Sequence, residues 1–353
     1  MAIPLQIRAQ AAAAQLAFAL PRPVRRLLAG SPVRLDGQQL DVDVQLLLRL
    51  QRISGGGLVP GSVGHSRAML EAGQQVVNGR QLEGIATREV VIPSGDVSLD
   101  ATLYAPAGLP EPSGLLVFYH GGGWVVGSRK SHDNAARYLA KHAGVRVLSV
   151  EYRMAPEHPF PAPVDDAIAA FDFAHAKAAD LGADPDRIAV GGDSAGGNLS
   201  AVVALETTRR GGPAPAFQLL IYPAVDFTTR RRSRDLFTED FFLTDEMITW
   251  FQNHYLTPDS DKSDPRLSPL LASDHSGLPP AYLVTAGFDP LRDEGEAYAE
   301  KLRAAGVPVA LSRQSDLIHG FLNFTGIGSR FREAVAELAG ALRQGLAEPK
   351  TTS

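Results

Sequence analysis

The chain is predicted to be an α/β protein: a mostly parallel central sheet of about eight strands, flanked by helices. Three observations predict it. From about residue 87 onward, short apolar runs alternate with longer helical patterns. Those runs carry little polar alternation, as expected of strands covered on both faces. Glycine clusters stand directly after two of them, "HGGGW" (120–124) and "GGDSAGG" (191–197), where something must come close to bare backbone. At 353 residues and 44% hydrophobic, the chain can bury a large core.

Residues 1–85 read as helical and distinct from the rest of the chain. "AAAAQLAFAL" (11–20) is expected to be an amphipathic surface helix, because Gln15 interrupts the apolar run and "PRPVRRL" replaces the small-residue site that a secretory signal would need. Leu40, Val44, Leu47 and Leu48 fall on one face of a helix, with Asp41 and Asp43 near its start and "SGGG" (54–57) as its stop. "SRAMLEAGQQVV" (66–77) is a further helix. "TREVVIP" and "VSLDATLYAP" then form two strands joined at Ser94-Gly95-Asp96, an antiparallel edge.

Strand and helix alternate after that. "GLLVFYH" (114–120) precedes the helix in 131–144, "VRVLSVEYR" (145–153) that in 163–182, and "DRIAVGGD" (186–193) that in 194–210. "FQLLIYP" (217–223) leads into a polar and aromatic insertion, 226–272. "AYLVTAG" (281–287) precedes the helix in 293–306, and "VPVALSRQ" (307–314) precedes a final helix near 328–345.

Composition excludes several functions. A net charge of −5 disfavours nucleic acid or anionic membrane as the main partner. With no cysteine there is no disulfide, thiolate nucleophile or Cys-ligated zinc. No uninterrupted apolar run reaches about 18 residues, so no transmembrane helix is expected.

Gly192-Asp193-Ser194-Ala195-Gly196 is G-x-S-x-G between a predicted strand and a predicted helix, the setting of a nucleophile elbow. A bare motif of this kind is common, and a helix-capping serine is the plain alternative; the strand–turn–helix context favours the nucleophile. Serine needs a base, and the base an orienting acid, in the chain order Ser, acid, His. Only His254, His275 and His319 follow Ser194. His319 comes after the last predicted strand and leaves room for Asp289, just past a strand end. Asp226 also follows a strand and is the rival acid; Asp293 and Glu294 fall in the next helix. His132, His142, His175, His254 and His275 read as structural, the first three on covering helices.

Gly121-Gly122-Gly123 lacks the Gly-Lys-Ser/Thr of a phosphate loop and the spacing of a dinucleotide fingerprint. What remains is a loop whose amides serve the oxyanion of an acyl-transfer intermediate, as after the third strand of an α/β-hydrolase.

"HGGGW", "YRMAPEHPFPAPVDD", "GDSAGG", "DPRLSPLLA", "DPLRDEG" and "IHGF" together resemble the hormone-sensitive lipase family of α/β-hydrolase esterases, on its bacterial GDSAG branch, from about residue 87 to the end. The resemblance implies Ser194, Asp289 and His319 as catalytic triad, the amides of Gly122, Gly123 and Ala195 as oxyanion donors, and His120 as keeper of the loop's shape. Met154 stands where the family more often has Leu. The resemblance also implies a cap over the site, with residues 1–85 and about 227–272 placed to build it and 86–353 forming the catalytic domain.

The expected function is a serine carboxylesterase for short- to medium-chain acyl esters. Its partner is a small-molecule ester, with no cofactor, metal, nucleic acid or stable membrane insertion; a homodimer is left open, and the location is expected to be cytoplasmic. Two alternatives share the scaffold. One is a non-catalytic binder, like the plant gibberellin receptors that lack the histidine, which His319 argues against; the other is an amidase or peptidase using the same triad. Phe241, Phe242, Trp250 and Phe251 are candidate pocket liners, though such an aromatic stripe often serves packing alone.

Overall fold

The computed structural model describes residues 5–54 and 61–347. The chain begins with α1 (Leu5–Ala19) and α2 (Arg22–Ala29), then a small hairpin of β1 (Arg34–Leu35) and β2 (Gln38–Gln39), then α3 (Val42–Ser54) and α4 (Val63–Val77). The hairpin is not among the sequence expectations. Its signal is Asp36-Gly37, both with positive φ (55° and 74°), the residues a two-residue hairpin turn demands. Leu40 lies ahead of α3, not on it, and is nevertheless buried beside Val44 and Leu47. The glycines 55–57 expected to stop α3 lie outside the described residues, and the helix runs through Ser54.

The main sheet comes next in the chain. β3 (Ile85–Ser94) and β4 (Val97–Pro106) form a hairpin; its register pairs Ser94 with Val97, so the turn itself is Gly95-Asp96. β5 (Ser113–Tyr119) leads to α5 (Asp133–Ala143), β6 (Arg146–Val150) to α6 (Ala162–Ala176), and β7 (Ala183–Asp193) to α7 (Ala195–Arg210). β8 (Phe217–Ile221) is followed by α8 (Arg232–Leu236) and α9 (Asp245–Tyr255). β9 (Ala281–Phe288), α10 (Arg292–Ala304), β10 (Val309–Ile318) and α11 (Ser329–Gly345) complete the chain. The eight strands lie in the order β10-β9-β8-β7-β5-β6-β4-β3. All neighbours are parallel except β3 with β4 and β4 with β6.

β5 shows why its sequence reads as an unbroken apolar run. All seven of its residues are buried. Leu115, Val117 and Tyr119 join one core with α6 and α7, while Leu116 and Phe118 join the other with α5 and α11. The two-residue period of a strand is intact; both of its faces are apolar. Because the parallel strands run one way, the loops after β5, β7, β8, β9 and β10 gather at one edge of the sheet.

α4 and α9 line the clefts at that edge. α1 packs on α4, and α2 on α3. α9 starts at Thr244, whose side chain accepts from Met247 N (3.2 Å), with Asp245 and Glu246 in its first turn. It buries Met247, Ile248, Phe251 and Tyr255, and Tyr255 stacks flat on Trp124 at 4.4 Å, tying the helix to the glycine loop. Among the described residues no helix is long and apolar enough to cross a membrane.

Candidate active site

Ser194 sits where β7 turns into α7, with φ 56° and ψ −116°. A non-glycine residue holds such a backbone only when its surroundings enforce it. Here the glycines of the motif permit it. A Cβ at Gly192 or at Gly196 would collide with the Tyr119 carbonyl on β5. The turn is therefore pressed against the neighbouring strand, and only glycine fits two positions before and two positions after the serine.

β9 ends at Phe288 and delivers Asp289; β10 ends at Ile318 and delivers His319. Asp289 is fully buried, with Oδ1 accepting from Leu291 N (2.8 Å) and Oδ2 lying 2.7 Å from His319 Nδ1. His319 Nε2 lies 2.9 Å from Ser194 Oγ. Residues 125 positions apart thus form one continuous line of hydrogen bonds. An imidazole so held can take the hydroxyl proton at Nε2 while its Nδ1–H stays on a carboxylate. Asp226 is not in this line. Its Oδ1 accepts from Thr228 N, Thr228 Oγ1 and Thr229 N, and its Oδ2 pairs with Arg231 at 3.2 Å, so its charge is spent on its own turn.

The three glycines of 121–123 have three different causes. A Cβ at Gly121 would strike the Asp193 carboxylate and carbonyl; Gly121 N donates to Asp193 Oδ1 at 2.8 Å. Gly122 (φ 124°) turns the loop, and a Cβ there would meet the Val126 carbonyl. Gly123 (φ 59°) lies under the Phe251 ring of α9. The amides of Gly122, Gly123 and Ala195 donate to no acceptor among the described residues, so they are free for an anion beside Ser194. His120 supports the loop from behind. Its Nδ1 donates to Gly121 O (2.9 Å), its ring stacks on Tyr152 at 4.4 Å, and Tyr152 Oη donates to His120 O (2.7 Å). Burial pushes the His120 imidazole down to about 4, so it is neutral at neutral pH.

The other histidines are structural in part only. His254 Nδ1 donates to Trp250 O, His275 Nε2 to Pro269 O, and His142 packs on Tyr138. His175 is in α6 and half-buried. His132 differs from the expectation of a residue on a covering helix. It caps the N-terminus of α5, is buried, and brings Nε2 to 3.2 Å from Asp193 Oδ1, directly beside the glycine loop. The Asp193-Ser194 dipeptide was legible in the sequence; the partner for its carboxylate was not, because the contact joins residues 61 positions apart with no motif between them. Among the described residues no three His, Asp or Glu side chains are grouped as metal ligands.

Two clefts meet at Ser194 and Gly123. One is lined by Trp124, Phe227, Ile248, Phe251, Leu291 and Glu294 among others. Burial pushes the Glu294 carboxyl up to about 8, although Val225 N donates to it at 2.8 Å. The other has His319, Leu70, Gln74, Phe242 and Met247 in its wall. Phe242 and Phe251 of the aromatic candidates thus line the clefts. Phe241 packs on Phe237 and Phe288, and Trp250 on His254 and Phe251.

The fold recurs in known proteins. The family described as alpha/beta hydrolase fold matches residues 116–323. The chain belongs to the hormone-sensitive-lipase-like α/β-hydrolases. Within this family, it is 48% identical over 333 residues to the carboxylic ester hydrolase LipN of Mycobacterium tuberculosis, across 92% of this chain and 88% of that protein. It is 40% identical to the ethyl acetate hydrolase of Pseudomonas putida, across 65% of this chain and 73% of that protein. Among solved structures, an ester-hydrolase from the metagenome of Lake Arreo superposes with a TM-score of 0.84 at 39% identity, over 86% of this chain and 98% of that one. That structure holds a bipyridine phosphonate derivative.

Proposed function

We propose that this carboxylic ester hydrolase cleaves short- to medium-chain acyl esters through an acyl-enzyme on Ser194. The observation that carries the reading is the hydrogen-bonded line Asp289–His319–Ser194, with three undonated amides beside it. His319 Nε2 accepts the Ser194 proton as Oγ attacks the ester carbonyl. The carbonyl oxygen gains negative charge and is held by the Gly122, Gly123 and Ala195 amides. His319 then gives its proton to the leaving alcohol, and a water repeats the sequence to release the acid. Asp289 keeps the Nδ1–H in place and stabilises the imidazolium.

The clefts support a division of labour. The leaving oxygen must reach His319 Nε2, so the alcohol occupies the cleft that His319 lines, under α4 and α9. The acyl chain takes the other, between Trp124, Phe227, Ile248 and Phe251. Three of its lining residues, Trp124, Phe227 and Phe251, are aromatic. Each methylene it accepts contributes about 0.8 kcal/mol of burial, and each beyond its end contributes nothing or clashes.

A panel of p-nitrophenyl esters from acetate to palmitate tests this. The expected optimum is about C4 to C8, on the reasoning that a bounded pocket stops rewarding added methylenes. Preference for emulsified long-chain triglyceride, with activation at the oil surface, would overturn it.

A further inference from the structure

We propose that His132 carries a proton on both ring nitrogens and, through Asp193, positions the glycine loop that faces Ser194. The functional half of this rests on the oxyanion role proposed above; the proton inventory does not.

The inventory is set by the partners. Ser131 Oγ donates to Ser128 O (2.9 Å) and accepts from Ser128 N (2.9 Å). With its own proton spent, it can meet His132 Nδ1 (2.9 Å) only as an acceptor, and Ser128 O, 3.3 Å from Nδ1, is an acceptor too. Nδ1 therefore carries a hydrogen. On the other side of the ring, Nε2 lies 3.2 Å from Asp193 Oδ1. The same Oδ1 accepts Gly121 N at 2.8 Å, so an acceptor oxygen faces the ring nitrogen. A bare Nε2 would set two lone pairs against each other inside the protein; a protonated one closes an ion pair.

Asn323 also faces Nε2, and its amide fits either way round. Its amide nitrogen lies 3.1 Å from His132 Nε2, while its Oδ1 is buried without a partner. Exchanging the two ends of the amide, nearly identical in shape, turns the orphan oxygen onto a Nε2–H.

No other group competes for the charge. His120, from the loop after β5, has its ring 5.5 Å away and is neutral. Tyr152 after β6 and Tyr222 after β8 are held protonated by burial, and Tyr222 Oη meets Asp193 Oδ2 at 3.4 Å. His319 faces Asp193 from the Ser194 side, and Asp133, the next residue of α5, is turned to Arg137 and Tyr104. Asp193 is thus the one carboxylate that His132 pairs with among the described residues, and the same Oδ1 accepts Gly121 N. Without the cation, the buried charge of Asp193 would have to protonate or turn away, releasing the first amide of the loop.

His132 is a positioning residue on this reading, with no contact to substrate required. The first test needs no variant. In 15N spectra of the parent enzyme between about pH 6 and pH 8, the window around histidine's usual titration, both His132 nitrogens should have protonated-type shifts. In Asp193→Asn that signature should be lost. The second test is kinetic. His132→Phe should lower kcat about 10- to 100-fold, less than the 10²–10³ of deleting a donor outright. KM for p-nitrophenyl butyrate should hold within about twofold, since the loss falls on the transition state. Affinity for a trifluoromethyl ketone, which forms an oxyanion on the serine, should fall by the same factor as kcat/KM. His132→Gln, which keeps one N–H, should recover part of the loss. A bare Nε2 in the parent spectrum overturns the proposal. So does an unchanged kcat in His132→Phe, or a kcat that falls together with Tm while ketone affinity stays put. If Ser194→Ala stays active, the acyl-enzyme reading fails instead, and the spectrum still decides where the protons are.

Discussion

The loops at the carboxyl edge of the sheet and the helices that cover them meet the same space by different means. On the sheet side, backbone opposes backbone. Gly192 and Gly196 press on the Tyr119 carbonyl, and Gly122 on that of Val126. On the cover side, side chains do the work: Phe251 over Gly123, and Leu70, Gln74, Phe242 and Met247 along the cleft wall. Backbone clashes have no rotamer to relieve them, so they admit one residue type and leave a fixed motif. Side-chain contacts can be made by many residues, so they tune what fits without leaving a signature.

The largest effect should fall on the sheet side. Ser194→Ala removes one oxygen from a turn shaped by its glycines, so folding should be unaffected while kcat drops by about 10⁴-fold or more, the scale of triad knockouts. Retention of over about a tenth of the rate would remove Ser194 from the nucleophile's role. Asp289→Asn comes next, at about 10⁴-fold, because an amide can favour the wrong imidazole tautomer. Asp226→Asn should cost about threefold at most, since it loses one charge pair with the partly exposed Arg231 while an amide oxygen can still accept from Thr228 and Thr229. The reverse ranking would move the acid to the loop after β8.

This pair of carboxylates also shows what could be read in advance. Both follow strands, and the residues alone left both open. The geometry separates them: Asp226 bends back on Thr228 and Thr229, whereas Asp289 is fully buried against His319. Sheet and loops were legible because apolar runs and glycine spacing are local. The β1–β2 hairpin was legible too, in Asp36-Gly37, but a two-residue strand shows no alternation to draw attention to it. The His132–Asp193 contact was not legible, because only the fold brings the residue before α5 to the end of β7.

The two glycines at the boundary sharpen the comparison further. Gly122→Ala meets a carbonyl and should cost about 10²–10³ in kcat, as loss of an oxyanion donor does. Gly123→Ala meets a ring that can be removed. It should also be impaired, through both its positive φ and Phe251, but Phe251→Ala in the same chain should restore part of its rate. Rescue of Gly122→Ala by Phe251→Ala, or none for Gly123→Ala, would erase the distinction between the two sides.

The smallest effect concerns a sheet-side acid that borders the acyl cleft. Glu294 opens α10, accepts Val225 N and lines the cleft, with its carboxyl pushed by burial from an ordinary 4.5 up to about 8. Below about pH 4.5, Glu294 is protonated in the folded and unfolded chain alike, and the stabilising contribution of its neutral form is fully present. As pH rises, the unfolded chain releases the proton first and is favoured, so that contribution is lost progressively until the folded carboxyl also ionises near 8. Glutamine mimics the neutral acid at every pH. The Tm of Glu294→Gln relative to the parent should therefore climb between about pH 5 and pH 8 and level off above that. Oε1 of glutamine can still accept Val225 N, so activity at about pH 6, where Glu294 is neutral in the folded chain, should change little. A Tm difference that stays flat across this range would show that Glu294 ionises normally, with water reaching it through the cleft.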